Sequence, residues 1–155
     1  MSHFYLDASA IVKRYSLERG SAWIRSLIDP SLGHTLVLSE ITLAEVAAAL
    51  AIKHRLPGGM TRQERDDALA LFLSHCQSEY ELVAVSRVIV DLAVRLTQDH
   101  KLRGYDAVQL ASALVVNQTF TTAGLSSLTF VAADRDLLAA AQVEGLSCDD
   151  PNLHP

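Results

Sequence analysis

Residues 4–12 read Phe-Tyr-Leu-Asp-Ala-Ser-Ala-Ile-Val, an apolar run broken by one charge, Asp7. A run this short and this apolar reads as a buried strand, and a helical pattern follows it directly. Asp7 therefore falls where a central strand ends. A carboxylate in that position is costly unless something positive meets it. Any fold open to this chain has to bring a cation or a strong donor set to Asp7.

Strand-like runs at 3–7, 34–38, 81–85 and 127–132, with a weaker one at 146–148, alternate with helical patterns at 8–17, 20–28, 40–55, 61–78, 86–101, 104–117 and 135–143. Alternation of this kind predicts an α/β domain with a mainly parallel sheet. The strands are continuously apolar, as in Thr35-Leu36-Val37-Leu38 and Leu128-Thr129-Phe130-Val131, which is the pattern of a sheet covered on both faces. Pro57-Gly58-Gly59 closes the third helix, and Thr61 with Glu64 three residues on forms a capping box for the fourth. Ser86 caps the fifth, and Gly104 separates the fifth from the sixth. The 155 residues suffice for one sizeable core. Residues 1–148 read as that domain, and 149–155, with two prolines, as a flexible C-terminal tail.

No apolar run reaches membrane-spanning length, and no secretory leader pattern opens the chain, so the expected setting is cytoplasmic, without a membrane partner. Cys76 and Cys148 share no CxxC spacing and read as reduced thiols. The net charge of -5 argues against a broad basic surface for nucleic acid. It leaves room for a local basic rim, or for an acidic pocket that fills with cations.

Three further carboxylates stand alone in apolar surroundings. Between Ile41 and Ile52 every residue is apolar or small except Thr42 and Glu45, which predicts a helix buried on most faces. In the stretch from Gly104 to Leu114 the one charge is Asp106, and the strand from Leu128 runs out through Ala132 and Ala133 to Asp134, with Asp136 two residues later. Asp7, Asp106 and Asp134 share a location, just past a strand or at the start of a helix. In open parallel sheets ligands bind beyond the carboxyl ends of the strands, and Glu45 can face the same crevice from the second turn of its helix. Each acid also has a plainer role. Asp7 and Asp134 can cap helices, Asp106 can answer a helix dipole, and Glu45 can pair with an arginine. All four converging in one place would repel strongly, and hard divalent cations, Mg²⁺ or Mn²⁺, resolve that repulsion. The histidines are scattered and form no HxxxH or HExxH, so no zinc site is expected, and His3 at a strand start should point away from the crevice.

The four segments in order resemble the motifs of the PIN domain family, and within it the VapC-like toxin ribonucleases of bacterial type II toxin–antitoxin pairs. Tyr5-Leu6-Asp7-Ala8-Ser9-Ala10-Ile11-Val12-Lys13 looks like the opening motif, and Ser39-Glu40-Ile41-Thr42-Leu43-Ala44-Glu45 like the second. The run Arg103-Gly104-Tyr105-Asp106-Ala107-Val108-Gln109 is similar to the third, and Phe130-Val131-Ala132-Ala133-Asp134-Arg135-Asp136 to the last. Ala8 departs from a frequent threonine, and the last motif offers two aspartates. The resemblance covers about residues 3–148. It implies a PIN-like α/β/α sandwich with a sheet of about five parallel strands and helices on both faces.

The resemblance also implies Mg²⁺- or Mn²⁺-dependent endonucleolytic cleavage of RNA, in which metal-activated water leaves a 5′-phosphate and a 3′-hydroxyl. Asp7, Glu45 and Asp106 would share the better-held ion, and Asp134 would complete the site or hold a second. Asp136 would act at one remove through water, and Ser9 would orient a ligand or a bound water. Arg103 and Lys13 are the candidates for RNA contacts. A small antitoxin protein and a second copy of the chain are the partners implied, with helices 8–17 and 40–55 flanking the groove.

Other nucleotide and phosphate chemistries fit less well. A haloacid-dehalogenase-type phosphatase needs a second aspartate where Ser9 stands, and no GxGxxG follows the first strand. The alternatives are a PIN-like module that binds RNA or a partner without cutting, and a nuclease acting on another nucleic acid.

Overall fold

The computed structural model describes residues 1–155. Strand β1 (His3–Leu6) takes the centre of a five-stranded sheet. Its companions are β2 (Thr35–Ser39), β3 (Glu81–Val83), β4 (Thr129–Val131) and β5 (Ser147–Asp149), in the order β3-β2-β1-β4-β5. All four pairings are parallel; Tyr5 stands opposite Val37 on one side and Phe130 on the other. Seven helices cover the sheet: α1 (Ala8–Tyr15), α2 (Ser21–Leu27), α3 (Ile41–Arg55), α4 (Arg62–Ser78), α5 (Arg87–Asp99), α6 (Gly104–Thr122) and α7 (Arg135–Val143). No helix is long and apolar enough to cross a membrane.

The apolar strands divide their side chains between two cores. Tyr5, Val37 and Phe130 face α5, α6 and α7, whereas Leu6, Leu36, Leu38 and Val131 face α1 to α4. This alternation within continuously apolar sequence is what burial on both faces requires. Edge strands β3 and β5 are mostly not buried, which is where Glu81 and Asp149 are tolerated. The Thr61–Glu64 capping box forms in full, and Ser86 accepts from the Ile89 N–H as a cap. Both cysteines are free thiols.

Three expectations need correction. Helix α6 runs to Thr122, five residues past its expected end at 117. The β-branched end is held helical because Phe120 packs against the core and against the His3 ring, with centroids 4.7 Å apart. Helix α3 is not covered on most faces: Thr42, Val46 and Leu50 are buried, but Ile52 is 57% exposed. Its low polarity is therefore not a record of burial within this chain.

The third correction is the C-terminal tail, expected to be loose. Residues 149–155 dock instead: β5 ends at Asp149, and a 3-10 turn follows at Pro151–Leu153 with Pro151 buried. His154 stacks on Trp23 at 4.2 Å and 6°, and its Nε2 lies 2.8 Å from Asp149 Oδ1. Pro151 opens the turn and does not free the tail.

Candidate active site

Parallel pairing of β1, β2 and β4 sends their carboxyl ends to the same edge of the sheet, and the chain leaves each of them into a helix. Asp7 is the first residue beyond β1, and Asp134 follows β4 after Ala132 and Ala133. Asp7 is only 5% exposed. Its Oδ1 accepts both the Ala10 N–H at 3.0 Å and the Ser9 hydroxyl at 2.7 Å, so it caps α1. Its Oδ2 has no protein donor, and no basic side chain pairs with it. Ser9 in turn accepts the Ala133 N–H at 2.9 Å, tying the start of α1 to the exit of β4.

Burial pushes the Asp7 carboxyl up to about 7, and the neighbouring Glu45 and Asp106 add to the rise, against the bonds from Ser9 and Ala10. Glu45 is raised for the same first reason, burial, with Asp106 contributing and the Gln109 amide opposing. These three acids are thus close enough to feel one another's charge. Asp106 is held by Arg103, whose Nε lies 3.2 Å from Oδ2 and whose guanidinium covers the Tyr105 ring at 4.9 Å. Tyr105 is 42% exposed; it forms part of the rim and not of the core.

A second grouping overlaps the first. Asp106, Asp134 and Asp136 line one cavity with His100, Lys101 and Arg103. Asp134 caps α7 through a 3.0 Å bond from the Leu137 N–H, and exposed Asp136 lies 3.7 Å from the Lys101 ammonium. Asp106 is common to both groupings. No three of these carboxylates close on a single point that would hold an ion as they stand. Arg103 draws Asp106 to the rim and Gln109 holds Glu45, so a cation would have to compete with those donors. The donor chemistry nonetheless fits a hard divalent ion: the acids are oxygen ligands, and the most buried of them lacks a counter-charge.

Lys13 does not belong to this rim. It is buried at the far end of α1, where its ammonium meets Glu18 Oε1 at 2.9 Å and Asn152 Oδ1 at 3.1 Å. A lysine on an amphipathic helix end reads as solvated; here Glu18 and the docked tail capture it. Arg14 is also turned away, donating to Glu79 and Tyr80. Arg103 stays exposed at the mouth.

A family model described as the PIN domain matches residues 4–143. The chain belongs to the PIN domain family. It is similar to Ribonuclease VapC45 of Mycobacterium tuberculosis (strain CDC 1551 / Oshkosh), 32% identical over 151 residues that make up 97% of each chain. Among solved structures it resembles FitAB bound to an IR36 DNA fragment, with a TM-score of 0.64 at 19% identity over 96% of this chain and 94% of that one. It also resembles a toxin–antitoxin complex from Klebsiella pneumoniae, with a TM-score of 0.56 at 22% identity over 86% and 88%. At these identities the structural likenesses carry the PIN fold itself, the five-stranded parallel sheet and its helices.

Sequence reasoning passed over one residue that touches these acids. Gln109, on α6, is buried and bonds to Tyr5, Thr42 and Glu45. The signal was present: an amide three residues after Asp106, on the same helix face, in an otherwise apolar run.

Proposed function

We propose that this PIN domain is a metal-dependent endoribonuclease, the toxin of a toxin–antitoxin pair. The observation that carries the reading is Asp7: a buried carboxylate without a counter-charge, next to Glu45 and Asp106 at the carboxyl ends of the sheet. The 32% identity with Ribonuclease VapC45 across nearly the whole chain supports RNA as substrate.

In this reading Asp7, Glu45 and Asp106 hold Mg²⁺ or Mn²⁺, and Asp134 completes the site, with Asp136 acting through water. A divalent ion bound there supplies an activated water and neutralises charge at the scissile phosphate. Ser9 keeps Asp7 in one rotamer through its 2.7 Å bond. Arg103, exposed at the mouth beside Asp106, would be free to meet an RNA phosphate if that carboxylate held an ion.

A mixed RNA pool is expected to be cut with Mn²⁺ or Mg²⁺, with loss of about 10³-fold on adding EDTA or on Asp106→Asn, the scale of several kcal/mol of charge stabilisation. Cleavage that survives both treatments overturns the metal mechanism. Single-stranded DNA in parallel separates the ribonuclease from a nuclease of other substrate, and cutting of neither leaves the non-cleaving module.

A small antitoxin protein is the partner proposed, in line with the toxin–antitoxin complex that shares the fold. A homodimer is proposed as well: Ile52 on α3, Leu56 just past its end, and Val88 and Val94 on α5 are each more than half exposed. Light scattering at micromolar concentration should give twice the 16.8 kDa chain mass; a monomer across that range rejects the dimer.

A further inference from the structure

A buried chain of side chains runs from beneath the sheet to Glu45. The Tyr5 hydroxyl donates to Gln109 Oε1 at 2.7 Å. The Gln109 Nε2 then donates one proton to Thr42 Oγ1 at 2.9 Å and the other to Glu45 Oε1 at 2.8 Å. Both protons of that amide are used, and its oxygen is engaged by Tyr5. Tyr5, Thr42 and Gln109 are each at most 1% exposed, so water does not stand in for any of them. The three sit on different elements, β1, α3 and α6.

The direction of the chain is fixed at its buried end. The Tyr5 phenol is fully buried, and its O–H points at the Gln109 oxygen. A phenol donating to Oε1 holds the amide with Nε2 toward Glu45. The flipped amide would set a carbonyl oxygen against the Glu45 carboxylate in a site of low dielectric, where an unmatched polar contact is most costly. Tyr5 therefore chooses which end of Gln109 faces the acid. One carboxylate oxygen of Glu45 is occupied by the amide, and Oε2 is left without a protein donor.

We propose that Gln109 is a positioning residue for Glu45, locked in orientation by Tyr5, and that this chain sets the affinity of the site for its divalent ion. The proposal rests on the metal-binding reading of Asp7, Glu45 and Asp106. Residues that hold a metal-binding side chain from behind change metal affinity by about 10- to 100-fold. Gln109→Leu keeps the volume and removes all three hydrogen bonds of the amide, and Tyr5→Phe removes only the orienting hydroxyl.

The test is Mn²⁺ binding without RNA, measured by isothermal titration calorimetry on the whole chain, with folding checked by circular dichroism. Gln109→Leu is expected to weaken binding by about 10- to 100-fold. Tyr5→Phe should weaken it less, and should add nothing in the Gln109→Leu background, because it acts only through the amide. A merely structural hydroxyl would instead contribute equally in both backgrounds. Folded Gln109→Leu with unchanged Mn²⁺ affinity overturns the proposal. If that variant does not fold, unchanged affinity in Tyr5→Phe overturns it. Failure of the unaltered chain to bind Mn²⁺ is a separate result, and removes the metal reading on which the proposal stands.

Discussion

Asp7→Asn should abolish RNA cleavage, by about 10³-fold or more, and at the same time make the metal-free protein more stable. The two effects have one cause. Asp7 is a buried charge that the protein alone does not balance: neither Arg nor Lys pairs with it, and Glu45 and Asp106 push in the same direction. Asparagine is nearly the same shape and caps helices as well as aspartate. Its oxygen can still accept from the Ala10 N–H and the Ser9 hydroxyl, as Oδ1 does now. What disappears is the charge, which is the property a divalent ion needs.

The sign of the stability change follows from the carboxyl's shift from an ordinary 3.8 up to about 7. Below about 4 the group is protonated in both folded and unfolded chains and contributes no difference. Between about 4 and 7 the unfolded chain ionises while the folded one holds its proton, so stability falls as pH rises through that window. Above about 7 the full penalty is present. A shift of this size corresponds to at most roughly 4 kcal/mol. Thermal unfolding in EDTA should therefore show Asp7→Asn more stable than the parent at pH 8, with the gap narrowing as the pH falls and nearly gone by about pH 3.5. Added Mn²⁺ should stabilise the parent and not the variant, because only a ligand of the folded state shifts the equilibrium. An asparagine variant less stable than its parent at pH 8 would mean that the Asp7 charge is already balanced within the protein.

Much of this arrangement could be read from sequence because parallel sheets impose it. Once β1, β2 and β4 are known to run the same way, residues just past their ends must share an edge, and Asp7 and Asp134 are placed without any coordinates. The expected strand positions lie within two residues of the observed ones at β1, β2 and β4 because each is apolar and bounded by a helix. What could not be read depends on a partner distant in the chain. Lys13 looks like a rim cation until Asn152, 139 residues away, is found against its ammonium. Gln109 looks like a filler in an apolar helix until Tyr5, 104 residues away, is found beneath it. Helix α3 misled in the opposite direction, since its alanine-rich face predicts a covering that this single chain does not supply. Local pattern reports how much apolar surface a segment carries, not which segment covers it.

Gly20→Ala should lower stability by about 3 kcal/mol, or roughly 6–12 °C in Tm for a chain of this length. Gly20 enters α2 at φ 84 and ψ -2, in the left-handed region. A side chain there costs of order 1–3 kcal/mol by itself. A Cβ would also overlap the carbonyl of Pro151, so the docked tail and the start of α2 could not both keep their places. The tail would give way first, because it is held by a few contacts: Asn152 to Lys13, and His154 to Trp23 and Asp149. Removing Asn152 leaves the Lys13–Glu18 pair with one partner fewer, which carries the loss into α1. The two contributions can be separated by deleting residues 151–155. In the shortened chain the overlap is gone, so Gly20→Ala should cost only the backbone strain, and the two changes together should cost less than their sum. Strict additivity in urea unfolding would mean that the tail does not rest on Gly20. The same contact explains why the tail escaped sequence reading. Its docking depends on the absence of a side chain at Gly20, and a missing atom leaves no mark in hydrophobic periodicity.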